Sequence, residues 1–449
     1  MTLLSEQVVL KKEEAVRSIN NAIFLFYILL FVEGILRKWI LPPLSSPLFF
    51  IKDPVLFYMY WVCWKNRLFP KHAIFKISVI LMILFLILSL TQMIIYTTPF
   101  FASVYGWRNY FLYMPLAFIM QRHMTKKDLI RIAKFTCYIG IPIAILTYIQ
   151  YLSPPDAYIN KNAGENSGAG FTVVGDIVRP YGPFSFVSGM VFFTPSLFVM
   201  LMFNYYLPLK ERFLSKWIYV LCFCGFASNL AVSGSRGTYG NVIVIFIFLI
   251  AGLLLFIHKR KAFKSLITIL IAGGIAIAVY IIVFSTQIDI ISQRFDEAGD
   301  AEGSLADRYA TAFIRFEDIS TNLPAWGVGI GAGSAGANFL KTGTADFTIA
   351  ESDWGRIVVE CGVFFGFLYL FYRIILCLYM SVGAVKATIR GVNPLPIMLV
   401  GYEIQNLLVG QMVSVGANLA FGWFFLGIAL VFNRIYSEEK EEEQEKLYA

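Results

Sequence analysis

Twelve runs of mostly apolar residues, near 20–40, 46–64, 73–96, 107–121, 131–152, 184–207, 217–233, 238–257, 265–285, 354–376, 393–413 and 415–433, set the terms on which this chain can fold. A helix that crosses a bilayer needs about 20 such residues. Inside lipid every backbone N–H and C=O must find its partner within the protein, which leaves helices or closed barrels, and runs of this length are helical. Of 449 residues 58% are apolar and 15% are charged, against roughly one-quarter charged in soluble domains. The expected fold class is therefore an all-α polytopic integral membrane protein with about 12 transmembrane helices, one membrane domain over residues 1–449. The opening MTLLSEQVVL lacks the basic-then-apolar order of a cleaved leader, so the first membrane helix is expected to act as its own targeting signal.

Charge gives the orientation. The net charge is +8, but its position matters more than its sum, because basic residues collect in the cytoplasmic loops of membrane proteins. With Lys11, Lys12 and Arg17 inside, the inner loops become 65–72, 121–134, 208–216, 258–264 (HKRKAFK) and 377–392, and every basic cluster falls on that side. Nucleic acid is excluded as a partner on the same ground. Both termini are then cytoplasmic, and the acidic tail at 434–449 reads as a solvated, partly helical end. All six cysteines lie in or beside apolar runs, so neither a disulfide nor a thiolate metal site is expected. His72, His123 and His258 all fall in inner loops beside lysines and arginines; they read as solvated residues, and no histidine serves the outer face.

Two outer segments, 153–183 and 286–353, are far longer than the other connections, and loops beyond about 15 residues usually carry function or disorder. The second contains LADRYATAFIRFEDIS, whose Ala306, Tyr309, Ala310, Phe313 and Phe316 recur at helical spacing and predict an amphipathic helix on the membrane face. GVGIGAGSAGANF follows, with glycines at 327, 329, 331, 333 and 336. It reads either as a backbone nest for an anion or as a linker.

The outer ends of the runs also collect ionisable residues: Glu33, Arg37 and Lys38; Lys52 and Asp53; Arg108; Arg179; Arg236 in SGSRGTYG; Arg308 and Arg315; and Glu351, Asp353, Arg356 and Glu360 in ESDWGRIVVECG. Such residues cost about 2.5–3.5 kcal/mol each at a helix centre on insertion scales and mark functional sites by default. Arginine stays charged when desolvated and grips phosphate oxygens in pairs, so several arginines at one interface imply a multiply charged anion such as a lipid-linked diphosphate. The plainer alternatives are snorkelling to lipid phosphates and pairing with neighbours, Lys52 with Asp53 or Arg356 with Glu360. Glu351 and Asp353 read either as acid–base groups or as caps of the tenth helix.

SGSRGTYG after an apolar helix, LADRYATAF followed by GVGIGAGS, and ESDWGRIVVECGVFFGF resemble the O-antigen polymerase and O-antigen ligase superfamily of bacterial envelope glycan enzymes. FVEGILRKWILP, SSPLFFIKDP and RPYGPFSFVSG resemble its polymerase-like branch. The resemblance implies a GT-C-type membrane glycosyltransferase of the bacterial inner membrane, without metal or other cofactor, that inverts the transferred sugar. It implies an undecaprenyl-diphosphate-linked glycan as donor, with a second lipid-linked repeat unit or lipid A core as acceptor, and a chain-length regulator or other glycan assembly proteins as candidate partners. Arg236, Arg308 and Arg315 match its basic positions and would bind the diphosphate together with Arg179, Arg37, Lys38, Arg108 and Arg356; Glu351 or Asp353 would be the base. Ligases of the superfamily carry a histidine nine residues before the glutamate of the last block, where this chain has Glu351 before Glu360. That departure favours a polymerase. A polysaccharide flippase or solute transporter is the reading from a different class.

Overall fold

The computed structural model describes residues 2–95, 98–163, 170–172, 176–302, 325–333 and 353–448. Its helices are α1 (Thr2–Ile35), α2 (Ser45–Leu48), α3 (Asp53–Lys65), α4 (Ala73–Ile95), α5 (Phe100–Trp107), α6 (Met114–His123), α7 (Lys126–Leu152), α8 (Ser188–Tyr206), α9 (Lys216–Val232), α10 (Arg236–Leu254), α11 (Arg260–Val283), α12 (Ser285–Glu302), α13 (Asp353–Gly391), α14 (Leu395–Val409) and α15 (Gly416–Tyr448). Among the described residues there is no strand, only an isolated bridge between Thr172 and Val178. Eight of these helices are long and apolar enough to cross a membrane, and α9 and α14 are shorter apolar helices. The chain is a multi-pass helical membrane protein whose surroundings are a lipid bilayer.

Two of the expected spans take another form. The run at 46–64 divides into α2 and α3; α3 has 13 residues, about 20 Å, short of the roughly 30 Å apolar core. The run at 107–121 is interrupted by a wide π-turn, Arg108–Leu112, before α6 begins with Pro115 in its first turn. A second π-turn, Leu36–Ile40, ends α1. Both turns carry the ionisable residues that the sequence flagged, which fits the use of such turns to re-aim side chains at functional positions.

The basic loops share one end of the bundle. Asn20 donates to Asp128 at 2.9 Å, Arg131 to Asn21 at 2.9 Å and Arg434 to the Met124 carbonyl, and Lys126 pairs with Glu211 at 3.1 Å. His123 bonds the Leu68 carbonyl at 2.8 Å. Here the histidine expectation holds only in part: His258 is exposed, but His123 is buried, and the half-buried His72 ring accepts the Phe75 N–H at the start of α4. Burial, with Arg122 nearby, holds both below the ordinary imidazole value, although the Leu68 carbonyl opposes this at His123. The tail is also more regular than expected, since α15 continues as helix to Tyr448. Two loop features went unforeseen or untouched. The segment after residue 286 opens with α12, whereas the amphipathic helix read at LADRYATAFIRFEDIS lies outside the described residues.

Apolar surface gains little from leaving lipid, so helix association in a membrane rests on close packing. The hub is α15, whose most apolar window is 94% buried, whereas that of α11 is only 6% buried and faces lipid. Tyr27 of α1 stacks on Phe424 of α15 at 4.6 Å. Gly427 lets α6 lie against α15, where a Cβ would meet the Met120 sulfur at 2.6 Å.

The segment α13 is not one straight span. Gly362 breaks it with φ 78° and ψ 167°, and the arm 353–361 folds back along the remainder. Asp353 and Arg373 prove the reversal: 20 positions of straight helix would separate them by about 30 Å, yet they are bonded at 3.0 Å. At the fold, Gly366 lies so close to the arm that a Cβ would sit 2.7 Å from the Val358 Cα, and one on Gly362 would sit 2.1 Å from the Ala325 carbonyl oxygen. Only glycine suits either place.

Candidate functional site

The ionisable residues of the far end form three buried groups. In the first, the Glu33 carboxylate accepts from Arg37 at 2.7 Å and from Ser185 at 3.2 Å, and pairs with Lys52. Arg108 grips Asp53 with two bonds, at 2.5 and 2.8 Å, and the Tyr113 hydroxyl also donates to Asp53 at 2.8 Å. The guanidinium lies 5.1 Å from the ring centres of Phe49 and Phe50. The sequential pairing of Lys52 with Asp53 does not form, because adjacent residues of a helix point in different directions; each finds an opposite charge on another element instead. Lys38 differs. It is 1% exposed, donates to the Gly182 carbonyl at 2.7 Å, and lies 4.1 Å from the Trp39 ring and 4.6 Å from the Tyr181 ring. No carboxylate among the described residues neutralises it. Among the described residues four basic side chains (Arg37, Lys38, Lys52, Arg108) therefore share this end with two acids (Glu33, Asp53).

The second group answers for the glycines. Gly327, Gly329 and Gly331 take φ of 75°, 127° and 83°, a left-handed backbone that turns successive N–H groups inward, and the anion they enclose is the chain's own Glu360. Its carboxylate accepts from the Gly331 N–H at 3.0 Å, the Gly333 N–H at 2.9 Å and the Tyr110 hydroxyl at 2.8 Å. Gln92 of α4 ties the same loop to the arm, donating to the Glu360 carbonyl at 2.8 Å and accepting the Ile330 N–H at 2.9 Å. The nest reading thus holds for the backbone, with an internal occupant. Arg356 is fully buried on the same arm, one turn before Glu360.

The third group lies at the foot of the arm. Asp353 accepts from Arg373 at 3.0 Å, the Met412 N–H at 2.7 Å, the Val413 N–H at 3.4 Å and the Ser414 hydroxyl at 3.3 Å. Three of these bonds fall on Oδ2 and one on Oδ1, so the carboxylate is anchored chiefly through one oxygen. It fastens the arm to the segment that follows α14. Arg373 also donates to the carbonyls of Leu407, Asn406 and Gly410 at 2.6, 3.0 and 3.0 Å. Those oxygens lie at and just past the end of α14, where the Asn406 carbonyl also accepts the Gly410 N–H at 3.1 Å and that of Gly410 the Met412 N–H at 2.8 Å. One ion pair therefore satisfies the carbonyls before the 410–415 break and the amides after it.

Arg236 opens α10 and is 8% exposed. Gly234, at φ 54°, turns the chain out of α9. The antiparallel register of α10 and α14, with Gly252 against Pro394 and Gly401 against Val244 and Phe248, brings Arg236 level with Gly410. Arg236 and the clasp thus occupy one depth. Arg179 is placed by its backbone, which donates to the Phe171 carbonyl at 2.7 Å. Glu351, Arg308 and Arg315 lie outside the described residues.

Sequence reading passed over Arg373, Gln92, Tyr110 and Glu403. The signal for Arg373 and Glu403 was present: each is an ionisable residue inside an apolar run, LYLFYRIIL and LVGYEIQNLL. Among the described residues no group of three or more histidines, cysteines or acids is arranged to hold a metal ion. No protein-family model matches the chain, and no curated protein matches it in sequence.

Proposed function

We propose that this chain is a membrane glycosyltransferase that elongates undecaprenyl-diphosphate-linked oligosaccharide units at the extracytoplasmic face of a bacterial inner membrane, in O-antigen, capsule or exopolysaccharide synthesis. The observation that carries the reading is the excess of basic over acidic side chains at one end of the bundle, where Lys38 has no acid partner among the described residues and Arg236 stands level with the 410–415 break. A diphosphate on a lipid tail brings negative charge to that depth and leaves its chain in the bilayer. The basic loops gathered at the opposite end support a cytoplasmic assignment for them.

The reaction asks two things of the residues. The acceptor hydroxyl oxygen attacks the anomeric carbon while the bond from that carbon to the diphosphate oxygen breaks, the electron pair leaving with the diphosphate. Arg236 stabilises the charge that develops there, and Arg308 and Arg315 are the further candidates. The hydroxyl proton passes to Glu351, two residues before the arm. Arg37, Arg108 and Lys52 are committed to Glu33 and Asp53, so they shape the positive end and do not themselves grip the donor.

A transporter is the second reading. The fold-back at Gly362 and the break at 410–415 are discontinuities of the kind that line transporter sites. One experiment separates the two: purified protein in detergent is given a synthetic undecaprenyl diphosphate repeat unit, with no membrane to hold a gradient. Longer lipid-linked products support the transferase, and their absence with a donor that binds supports the transporter.

A further inference from the structure

Five buried acids lie among the described residues, and four of them are well supplied with donors. Glu33, Asp53, Asp353 and Glu360 each accept at least three hydrogen bonds, from cations, amides or hydroxyls. The fifth is Glu403, midway along α14 and 0% exposed. Its Oε2 accepts one bond, from Asn406 at 3.3 Å, and its Oε1 receives none among the described residues. An ionised carboxylate removed from water without cation or donors is far costlier than a neutral one.

Its surroundings supply no counter-charge. From α10, Phe248 and Val244 pack on Gly401; from α8, the Phe192 carbonyl accepts the Tyr402 hydroxyl; from α15, the Phe425 ring lies against Tyr402. The charged or titratable groups that act on Glu403 are Arg373 and Cys377 of α13 and Tyr402 of its own helix. Of these only Arg373 is a cation, and its donors are given to Asp353 and three carbonyls.

We propose that Glu403 is a proton-binding site inside the membrane bundle: the acid is carried neutral, and its proton keeps Arg373 committed to Asp353. The connection is short, since Glu403 accepts from the Asn406 side chain and Arg373 donates to the Asn406 carbonyl. Loss of the proton leaves a bare carboxylate whose nearest cation is Arg373, and the clasp at the 410–415 break then competes with it. This holds whichever substrate the opposite end takes.

Two measurements on the full-length protein in lipid nanodiscs test it. Infrared spectra at neutral pH should contain the carbonyl band of an un-ionised carboxyl group that moves with ¹³C-glutamate labelling and is lost in Glu403→Gln. Hydrogen exchange read by mass spectrometry should then show the Met412 and Val413 amides exchanging at least threefold faster once the pH is raised far enough to remove that band. In Glu403→Gln, which keeps the neutral form, the exchange should not respond. A parent protein without the band overturns the proposal, and a band whose loss leaves the two amides unchanged overturns the link to Arg373. Should the glutamine variant fail to insert, the labelled parent decides alone, through the ¹³C shift and the coincidence of band loss with amide exchange.

Discussion

Asp353 and Arg373 belong to one helical segment, 20 positions apart, and are joined at 3.0 Å because the segment turns back on itself at Gly362. Both are at most 3% exposed in their side chains. Removing one partner of such a pair leaves the other charge buried alone, at a cost of about 3–5 kcal/mol. Arg373→Met should therefore lower the thermal midpoint of the detergent-solubilised protein strongly. Asp353→Asn should cost less, because its side-chain oxygen can still accept the Met412 N–H. The double variant should lie well above the sum of the two losses; strict additivity would show that the two side chains do not act as a pair.

The Glu360 nest yields a different prediction. Glu360→Gln keeps the shape but replaces a charged acceptor of two glycine amides with a neutral one, and hydrogen bonds to charged groups contribute about 1.5–3 kcal/mol. Hydrogen exchange at Gly331 and Gly333 should accelerate while the basic end of the bundle is unaffected. Gly362→Ala should be worse than either, since it brings a Cβ against the Ala325 carbonyl at a left-handed φ. Its expected result is loss of the folded protein from the membrane.

Arg236 and Arg108 should separate function from fold. Arg108→Ala strands Asp53, which then keeps only the Tyr113 hydroxyl among the bonds named above, and should destabilise the protein by several kcal/mol. Arg236→Ala should abolish chain elongation while the protein remains in the membrane, because losing one cation from a desolvated leaving-group site costs about 3–4 kcal/mol of transition-state stabilisation. Lysine at 236 should restore little, lacking the planar fork. Normal product from Arg236→Ala would reduce this residue to a membrane anchor.

Buried His123 and half-buried His72 fix the direction of a pH effect at the basic end. Both are held below the ordinary value, chiefly by burial. The unfolded chain therefore takes up protons first, and stability is complete above about pH 6.5 and falls as pH drops below it. The thermal midpoint should decline from pH 7.5 to pH 5.5, and His123→Gln combined with His72→Asn should flatten that decline. An unchanged slope in the double variant would place the acid sensitivity elsewhere.

How much of this could be read from the residues depends on how local each feature is. Nine of the twelve apolar runs became helices of nearly the expected extent, because length and apolar content act within a segment. Ionisable residues in or beside those runs were equally legible as a class. Their partners were not, since Lys52 meets Glu33 and Arg108 meets Asp53 only after separate elements come together. The fold-back at Gly362 was hidden for the same reason. GVFFGF continues an apolar helix in sequence, and what turns the chain is the approach of Ala325 and Gly327 from a distant loop. The glycine nest was visible, but its occupant required knowing that Glu360 would fold up beneath it.

ESDWGRIVVECG carries the last prediction. Asp353 accepts four donors and Glu360 three, and both are buried, so of the three acids in that stretch Glu351 is the base tested first. Glu351→Gln preserves the shape and can still cap a helix through its side-chain oxygen, but it cannot take a proton at neutral pH. Transfer should fall by about 10²–10⁴-fold, the usual share of general base catalysis, with donor binding and thermal midpoint nearly unchanged. Glu351→His is the sharper variant, since imidazole titrates near pH 6.5 and restores the residue that the resembling ligases carry at this position. It should regain part of the lost activity, with a rate that rises through about pH 6.5 as the ring becomes neutral. The readout is elongation of a synthetic undecaprenyl diphosphate repeat unit, followed by gel for the parent, glutamine and histidine forms from pH 5.5 to 8.5. If the glutamine form elongates as fast as the parent, Glu351 is a cap, and Asp353 is the next base to test.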